Sequence, residues 1–314
     1  MRFVPVAAIV LALVVACGGG EAAPSASPSG PIAFLRTPSP TPTASPSPRP
    51  TPTPAPAISL TGGYARQGGF LLARLLHPPS GLNAATVSFN GSSYDMVKSG
   101  DRWFAVIGLE TDIATGEYPI QIASDKPIAN GSVTLSEGGF DFESIELPES
   151  STDLLQDTAA IAQERRTLQD TYAVVTPRPL WSGAWIMPAQ GPITNAFGLQ
   201  RSINGGAYFP HTGTDIANEK GSPVAAAASG KVSLARKLYL YGNAVVIDHG
   251  AGVFTSYNHL DSIAVKAGQT IKIGDLVGSM GETGFVSGPH LHWEAIIGGV
   301  RTDPTLWTQV PVNP

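Results

Sequence analysis

Cysteine is all but absent. Cys17 is the only one in 314 residues, so no internal disulfide can staple the chain and its stability must come from packing. An excess of basic residues is missing too: 19 Lys and Arg against 24 Asp and Glu leave a formal charge of -5. That balance argues against nucleic acid as a partner, because phosphate binding needs a basic face. Charged residues make up only 14% of the chain. From Trp181 onward eight basic and eight acidic residues cancel, which suits a partner recognised by shape and backbone polarity rather than by charge. The apolar run from Phe3 to Val15 falls short of the roughly 20 residues that span a bilayer. The helical motif H-E-x-x-H is absent as well, which excludes the common helix-borne zinc-protease arrangement.

What the N-terminus does contain reads as an export signal. Met1-Arg2 is a short basic start, the apolar run follows, and Val14-Val15-Ala16-Cys17 resembles a bacterial lipobox, so residues 1–17 are expected to be a lipoprotein signal peptide with lipidation at Cys17. Two or three acyl chains there would anchor the protein to a membrane surface. Residues 18–57 are low in complexity, with Pro at 38, 40, 42, 46, 48, 50, 52, 54 and 56 among Thr, Ser and Ala. Such a stretch has too little apolar content to fold and should form an extended tether, reaching up to about 100 Å at roughly 3.1 Å per residue. The expected location is therefore extracytoplasmic, in the cell envelope.

The remainder, 42% apolar across the whole chain, has room for about two domains. Residues 58–150 carry short apolar runs (Phe70–Leu76, Thr86–Phe89, Trp103–Ile107, Tyr118–Ile122, Ser132–Leu135) separated by turn signals such as Asn90-Gly91, Thr115-Gly116 and Asn130-Gly131. This spacing predicts a small β-sandwich, immunoglobulin-like in kind. Residues 151–180 read as a helical linker. Ser151, Thr152 and Asp153 are candidate caps, and Thr176-Pro177-Arg178-Pro179 ends the helix. Residues 181–314 are rich in glycine and strands, with runs at 193–197, 230–235, 244–248, 253–257, 270–273, 276–280 and 291–297 and almost no helix. The expected fold class is mainly β: an antiparallel sheet domain preceded by a β-sandwich and a connecting helix.

Four of the six histidines fall in three motifs of this last region: His211-Thr-Gly-Thr-Asp215, Tyr257-Asn-His259-Leu260 and Gly288-Pro-His290-Leu-His292-Trp-Glu294. Histidines two apart in a strand share one face, so His290 and His292 aim at one spot. A catalytic zinc takes three protein ligands and keeps a fourth position for water. His211, Asp215 and one of the pair 290/292 would meet that count. The histidines left over could accept a proton or stabilise an oxyanion. Asp248, Glu294 and Asp303 are candidates for orienting imidazoles from behind. Asn204 and Tyr208, in the loop before His211, are weaker candidates for substrate contact.

Taken jointly, H-x-G-x-D, Tyr-x-His-Leu and Gly-Pro-His-Leu-His-Trp-Glu, together with Gly191–Gly198, Gly221–Val224, Ser229–Val232, Val246–Gly250 and Gly278–Gly284, resemble the lysostaphin/LytM-type zinc endopeptidases that cut bacterial peptidoglycan. The resemblance spans about Trp185 to Trp307. It implies a grooved β-sheet fold, one Zn2+ held by His211, Asp215 and His292, and His259 and His290 as catalytic histidines beside an activated water. It also implies a peptide substrate from peptidoglycan stems or cross-links. Some family members have lost ligands and serve only as regulators of cell-wall amidases; all five positions are filled here. A monomer is the expected state.

Overall fold

Apolar and polar residues alternate along the early strands as a half-buried sheet requires, with two exceptions that turn out to organise the molecule. The eight strands β1 (Ala57–Leu60), β2 (Phe70–Leu76), β3 (Thr86–Phe89), β4 (Ser92–Asp95), β5 (Val97–Ser99), β6 (Arg102–Gly108), β7 (Gly116–Ala123) and β8 (Pro127–Leu135) form two four-stranded antiparallel sheets, ordered β1-β2-β6-β5 and β4-β3-β7-β8. Between them lie Leu71, Ala73, Leu75, Val87, Phe89, Trp103, Ile107, Ile120 and Ile122. The exceptions are β2 and β6, apolar on both faces. Their alternate residues Phe70, Leu72, Phe104 and Val106 belong to a second core shared with the C-terminal region. A strand buried on both faces reads as a continuous apolar run, which is what Phe70-Leu-Leu-Ala-Arg-Leu-Leu76 shows.

The structure, a computed structural model, describes residues 53–61, 64–146, 153–309 and 312. The expected signal peptide, Cys17 and all but the last residues of the Pro-rich tether lie outside these. Among the described residues no helix is long and apolar enough to cross a membrane.

After β9 (Phe142–Ile145) and a single 3-10 turn at Asp153–Leu155, helix α1 runs from Thr158 to Ala173. It begins later than the sequence suggested because Asp157 is the cap: its carboxylate accepts from the Ala160 N–H at 2.9 Å, satisfying an amide the helix cannot. Leu168 and Tyr172 turn inward, the Tyr172 ring meeting Phe254 edge-on at 5.4 Å.

The C-terminal strands are β10 (Ile193–Asn195), β11 (Gln200–Ile203), β12 (Phe209–Pro210), β13 (Thr214–Ala217), β14 (Pro223–Ala225), β15 (Gly230–Lys237), β16 (Asn243–Gly250), β17 (Val253–Leu260), β18 (Ser262–Ile263), β19 (Thr270–Ile271), β20 (Leu276–Ser279), β21 (His290–Ile297) and β22 (Val300–Thr302), with a short helix α2 (Leu306–Gln309). The main sheet runs β10-β13-β21-β17-β16-β15-β19, and its pairings are antiparallel. The fold is mainly β, as the sequence led one to expect. Its central strands β17 and β21 are buried along nearly their whole length. One face of β21 (Leu291, Trp293, Ala295, Ile297) packs into the core shared with β2 and β6. On the other, Ile296 joins Leu168 of α1 and Phe254. His290, His292 and Glu294 share that second face, since they alternate with the first set along the strand.

Candidate metal centre

Register brings the pieces together. Antiparallel pairing sets Asp215 of β13 opposite His292 of β21, and His292 in turn opposite Asn258 of β17. His211 enters from the loop after β12. The His211 Nε2 and His292 Nδ1 atoms lie 3.1 Å apart, and the Asp215 Oδ1 atom is 2.8 Å from His292 Nδ1 and 3.2 Å from His211 Nε2. These three atoms form a nearly equilateral triangle. A tetrahedral ion with ligand bonds of about 2.0–2.1 Å has ligand-to-ligand edges of about 3.3 Å, so the triangle is close to one face of such a polyhedron.

Proton placement strengthens the fit. His211 Nδ1 is 3.0 Å from the Ala196 carbonyl; a carbonyl only accepts, so Nδ1 carries the proton and Nε2 presents its lone pair. His292 Nε2 is 3.2 Å from a carboxylate oxygen of Glu294, which likewise puts the proton on Nε2 and a lone pair on Nδ1. Two imidazole lone pairs and a carboxylate oxygen thus converge on one point, an arrangement that is repulsive unless a cation or a proton sits among them. Burial works against charge on His292, yet the bonds to Asp215 and Glu294 push it up to about 9: the anions at this spot demand a positive partner. Asp215 is buried, which would raise its pKa, but bonds and charge from His211 and His292 hold it well below the ordinary carboxylate range. Both shifts show that the anions of this spot favour a positive charge among them.

The ligands are braced from behind. Asn195 donates from Nδ2 to Asp215 Oδ2 at 2.9 Å. One oxygen of the fully buried Glu294 accepts from Thr212 Oγ1 at 2.7 Å, Tyr241 OH at 3.0 Å and Arg301 Nε at 3.0 Å in addition to His292. Burial would raise the Glu294 pKa, but Arg301, His292 and Thr212 keep it low. Tyr241 is itself held in place by α1: the Glu164 carboxylate accepts from the Leu240 N–H at 2.8 Å. Gly213 leaves no room for a side chain, because a Cβ there would lie 2.6 Å from the Trp293 carbonyl and 2.8 Å from His292 Nε2. That contact explains the glycine in His-Thr-Gly-Thr-Asp.

His259 and His290 stand beside the triad. The His290 ring lies 4.9 Å from that of His259, and its Nε2 is 3.7 Å from Asp215 Oδ1. Each donates its Nδ1 proton to a carbonyl, His259 to Thr283 and His290 to Gly288, both at 2.9 Å. Each therefore keeps an Nε2 lone pair. Burial, reinforced by the neighbouring His292 and His290, pushes the His259 pKa down to about 3. His259 follows Asn258, whose side of the sheet is that of His292, so strict alternation would turn it away. A register shift between Asn243/Val245 and their partners and a left-handed backbone at His259 (φ 63°) re-aim it, and its ring centre comes within 5.8 Å of that of His292.

Other sequence candidates are placed differently. His249 is fully buried and donates from Nδ1 to the Ser229 carbonyl at 2.9 Å. Asp248 binds no imidazole; it accepts from the Thr176 N–H and hydroxyl at 2.9 and 2.6 Å, tying down the segment after α1. Asp303 pairs with Arg66 across 3.2 Å. Of the three acids considered as orienting groups, only Glu294 touches a site histidine. Tyr208 is exposed, its hydroxyl 3.0 Å from Ser144 Oγ of β9, and the Asn204 backbone N–H bonds to the Ile145 carbonyl at 2.9 Å. Sequence reading missed Asn195, Thr212, Tyr241 and Arg301. Thr212, inside the His-Thr-Gly-Thr-Asp motif, and Asn195, inside Gly191–Gly198, carried a local signal; Tyr241 and Arg301 did not.

Residues 209–304 match peptidase family M23. This stretch of the chain is thus similar to M23 peptidases. Two curated relatives from Vibrio cholerae align with it: peptidoglycan DD-endopeptidase ShyB, 45% identical over 92 residues, and peptidoglycan DD-endopeptidase ShyA, 47% identical over 90. Each alignment covers 29% of this chain, and 22% and 21% of the respective relative; the chain spans about a fifth of the length of these proteins. A solved structure of a Pseudomonas aeruginosa protein assigned to peptidase M23 is similar in fold, with a TM-score of 0.58 at 24% identity over 78% of this chain and 95% of that one. The fold likeness thus reaches well beyond residues 209–304.

Proposed function

We propose that the protein is a zinc-dependent endopeptidase that hydrolyses peptide bonds in peptidoglycan stem peptides or cross-links, acting outside the cytoplasm from a lipid anchor at Cys17. The reading rests on the convergence of the lone pairs of His211 Nε2 and His292 Nδ1 with Asp215 Oδ1, at 2.8–3.2 Å from one another. These residues are the proposed metal ligands. Zinc held there would bring the pKa of a water molecule toward neutrality and polarise a scissile carbonyl. The names of the two Vibrio cholerae relatives support peptidoglycan as the substrate class.

His259 and His290 are the proposed catalytic histidines. With Nδ1 fixed on a carbonyl, each offers Nε2 as a proton acceptor beside the triad. One takes the proton of the attacking water and returns it to the leaving amine. The other, once protonated, donates to the oxygen on which charge develops. Fixing Nδ1 on backbone determines both tautomer and ring direction, so little reorganisation is needed during the reaction. Tyr208 and Asn204 are proposed substrate contacts on the β11–β12 hairpin.

Purified protein should release new amino termini from isolated sacculi, and chelation or His292→Ala should abolish the release. Activity that survives both treatments would refute the proposal. A protein that takes up no zinc and cuts no wall material, yet stimulates an amidase, would be a silent regulator instead.

A further inference from the structure

Strand β9 comes from the chain ahead of α1, yet it pairs in parallel with β11, placing Glu143 opposite Arg201 and Phe142 opposite Gln200. Strand β11 pairs on its other side with β12, which runs directly into His211. The upstream segment is therefore the outer strand of a three-stranded sheet whose far side delivers a metal ligand. A continuous line of hydrogen bonds leads from this sheet into the main sheet, through Asn195 of β10 to Asp215 of β13. Glu143 Oε2 accepts from Arg201 Nε at 3.0 Å and also faces Arg201 Nη2 at 2.9 Å. The same Nη2 donates to Asn195 Oδ1 at 2.8 Å, and Asn195 Nδ2 donates to Asp215 Oδ2 at 2.9 Å.

The chemistry of this line is directional. An amide can bond through either end, but Arg201 has only donors, so it fixes the Asn195 oxygen toward itself and the nitrogen toward Asp215. Glu143 in turn fixes the guanidinium plane. We infer that Glu143 is a positioning residue for the metal centre, acting through Arg201 and Asn195 to hold the Asp215 carboxylate with Oδ1 turned toward His211 and His292. The upstream segment then contributes to metal affinity without touching the ion. This inference rests on the zinc reading above.

The test is zinc affinity of the full chain, by competition with a chromogenic chelator, alongside melting temperature. Groups that orient metal ligands change affinity about 10–100-fold when removed, so Asn195→Ala should weaken zinc about tenfold. The Glu143–Arg201 pair is partly exposed, with side chains 40% and 20% accessible, and partly exposed pairs are weak. Glu143→Ala should accordingly weaken zinc about threefold. Glu146→Ala, on an exposed acid three positions along, controls for lost charge and should leave affinity within error. The decisive value is the double variant: if the effect passes through Asn195, Glu143→Ala adds nothing to Asn195→Ala. Additive losses, wild-type affinity in Glu143→Ala, or an equal loss in Glu146→Ala would each overturn the inference while leaving the zinc reading intact. A wild-type protein that takes up no zinc would overturn both.

Discussion

His290 and His292 leave the same strand on the same face, yet their second nitrogens are tied differently. His292 bonds the buried Glu294 through Nε2 and turns Nδ1 inward. His290 bonds a backbone carbonyl through Nδ1 and turns Nε2 toward Asp215 at 3.7 Å. Spacing alone could not separate them, because what separates them is the tautomer, set by neighbours from elsewhere in the chain. The expected outcome is that His292→Ala loses zinc by elemental analysis, whereas His290→Ala retains it and loses turnover of sacculi; full zinc in both variants would refute the division of roles. His249 is a histidine of another kind. Burial pushes its pKa from 6.5 down to about 4, so the folded state binds fewer protons than the unfolded chain between those values. Its contribution to stability is intact above about pH 6.5 and is lost as the pH falls toward 4, a loss of about 3 kcal/mol. Denaturant unfolding at pH 7 and pH 4 should show His249→Gln losing about that much less than the parent over this range. Equal losses would mean that His249 titrates alike in both states.

At the scale of elements, the strands that were easy to read are those rich in apolar and β-branched residues and bounded by turn signals, such as β16, β17 and β21. The strand carrying Asp215 was not among them. Thr214-Asp-Ile-Ala217 is four residues long with a polar face, and it is a strand because β21 and β10 pair with it on both sides, a long-range cause that a local window does not contain. The bulge that turns His259 inward was hidden for the same reason, since a histidine at φ 63° has no sequence signature. What the motif did encode is the tight approach at Gly213. A methyl group there would meet the Trp293 carbonyl and the His292 ring, so Gly213→Ala must either push β13 from β21 or rotate His292. Zinc affinity should fall at least tenfold while far-UV circular dichroism stays unchanged. Wild-type affinity would show that the ring can yield without harm to the metal site.

For the molecule as a whole, the upstream sheets and the C-terminal sheet share a core. Tyr64 stacks on Phe70 at 4.9 Å, Phe70 on Trp307 at 4.5 Å and Trp307 on Trp185 at 4.4 Å. Arg66 and Asp303 close one edge of this column, and residues 53–314 cluster as one unit. The sequence suggested two domains and a helical linker because each stretch has its own strand rhythm; the second apolar face of β2 and β6 is what the shared interior adds to that reading. Removing Phe70 opens a cavity in that interior at a usual cost of about 3–5 kcal/mol. Since the column belongs to both parts, Phe70→Ala should lower one cooperative unfolding transition, seen alike by tryptophan fluorescence and by release of zinc, which the C-terminal part holds in the proposed reading. By the same reasoning a fragment of residues 153–314 would expose Trp307 and the face of β21 behind it, so it should be insoluble or molten and bind dyes specific for apolar surface. A fragment that melts cooperatively near the parent temperature would show that the column joins two independent folds, and the zinc-release and fluorescence transitions of Phe70→Ala would then separate.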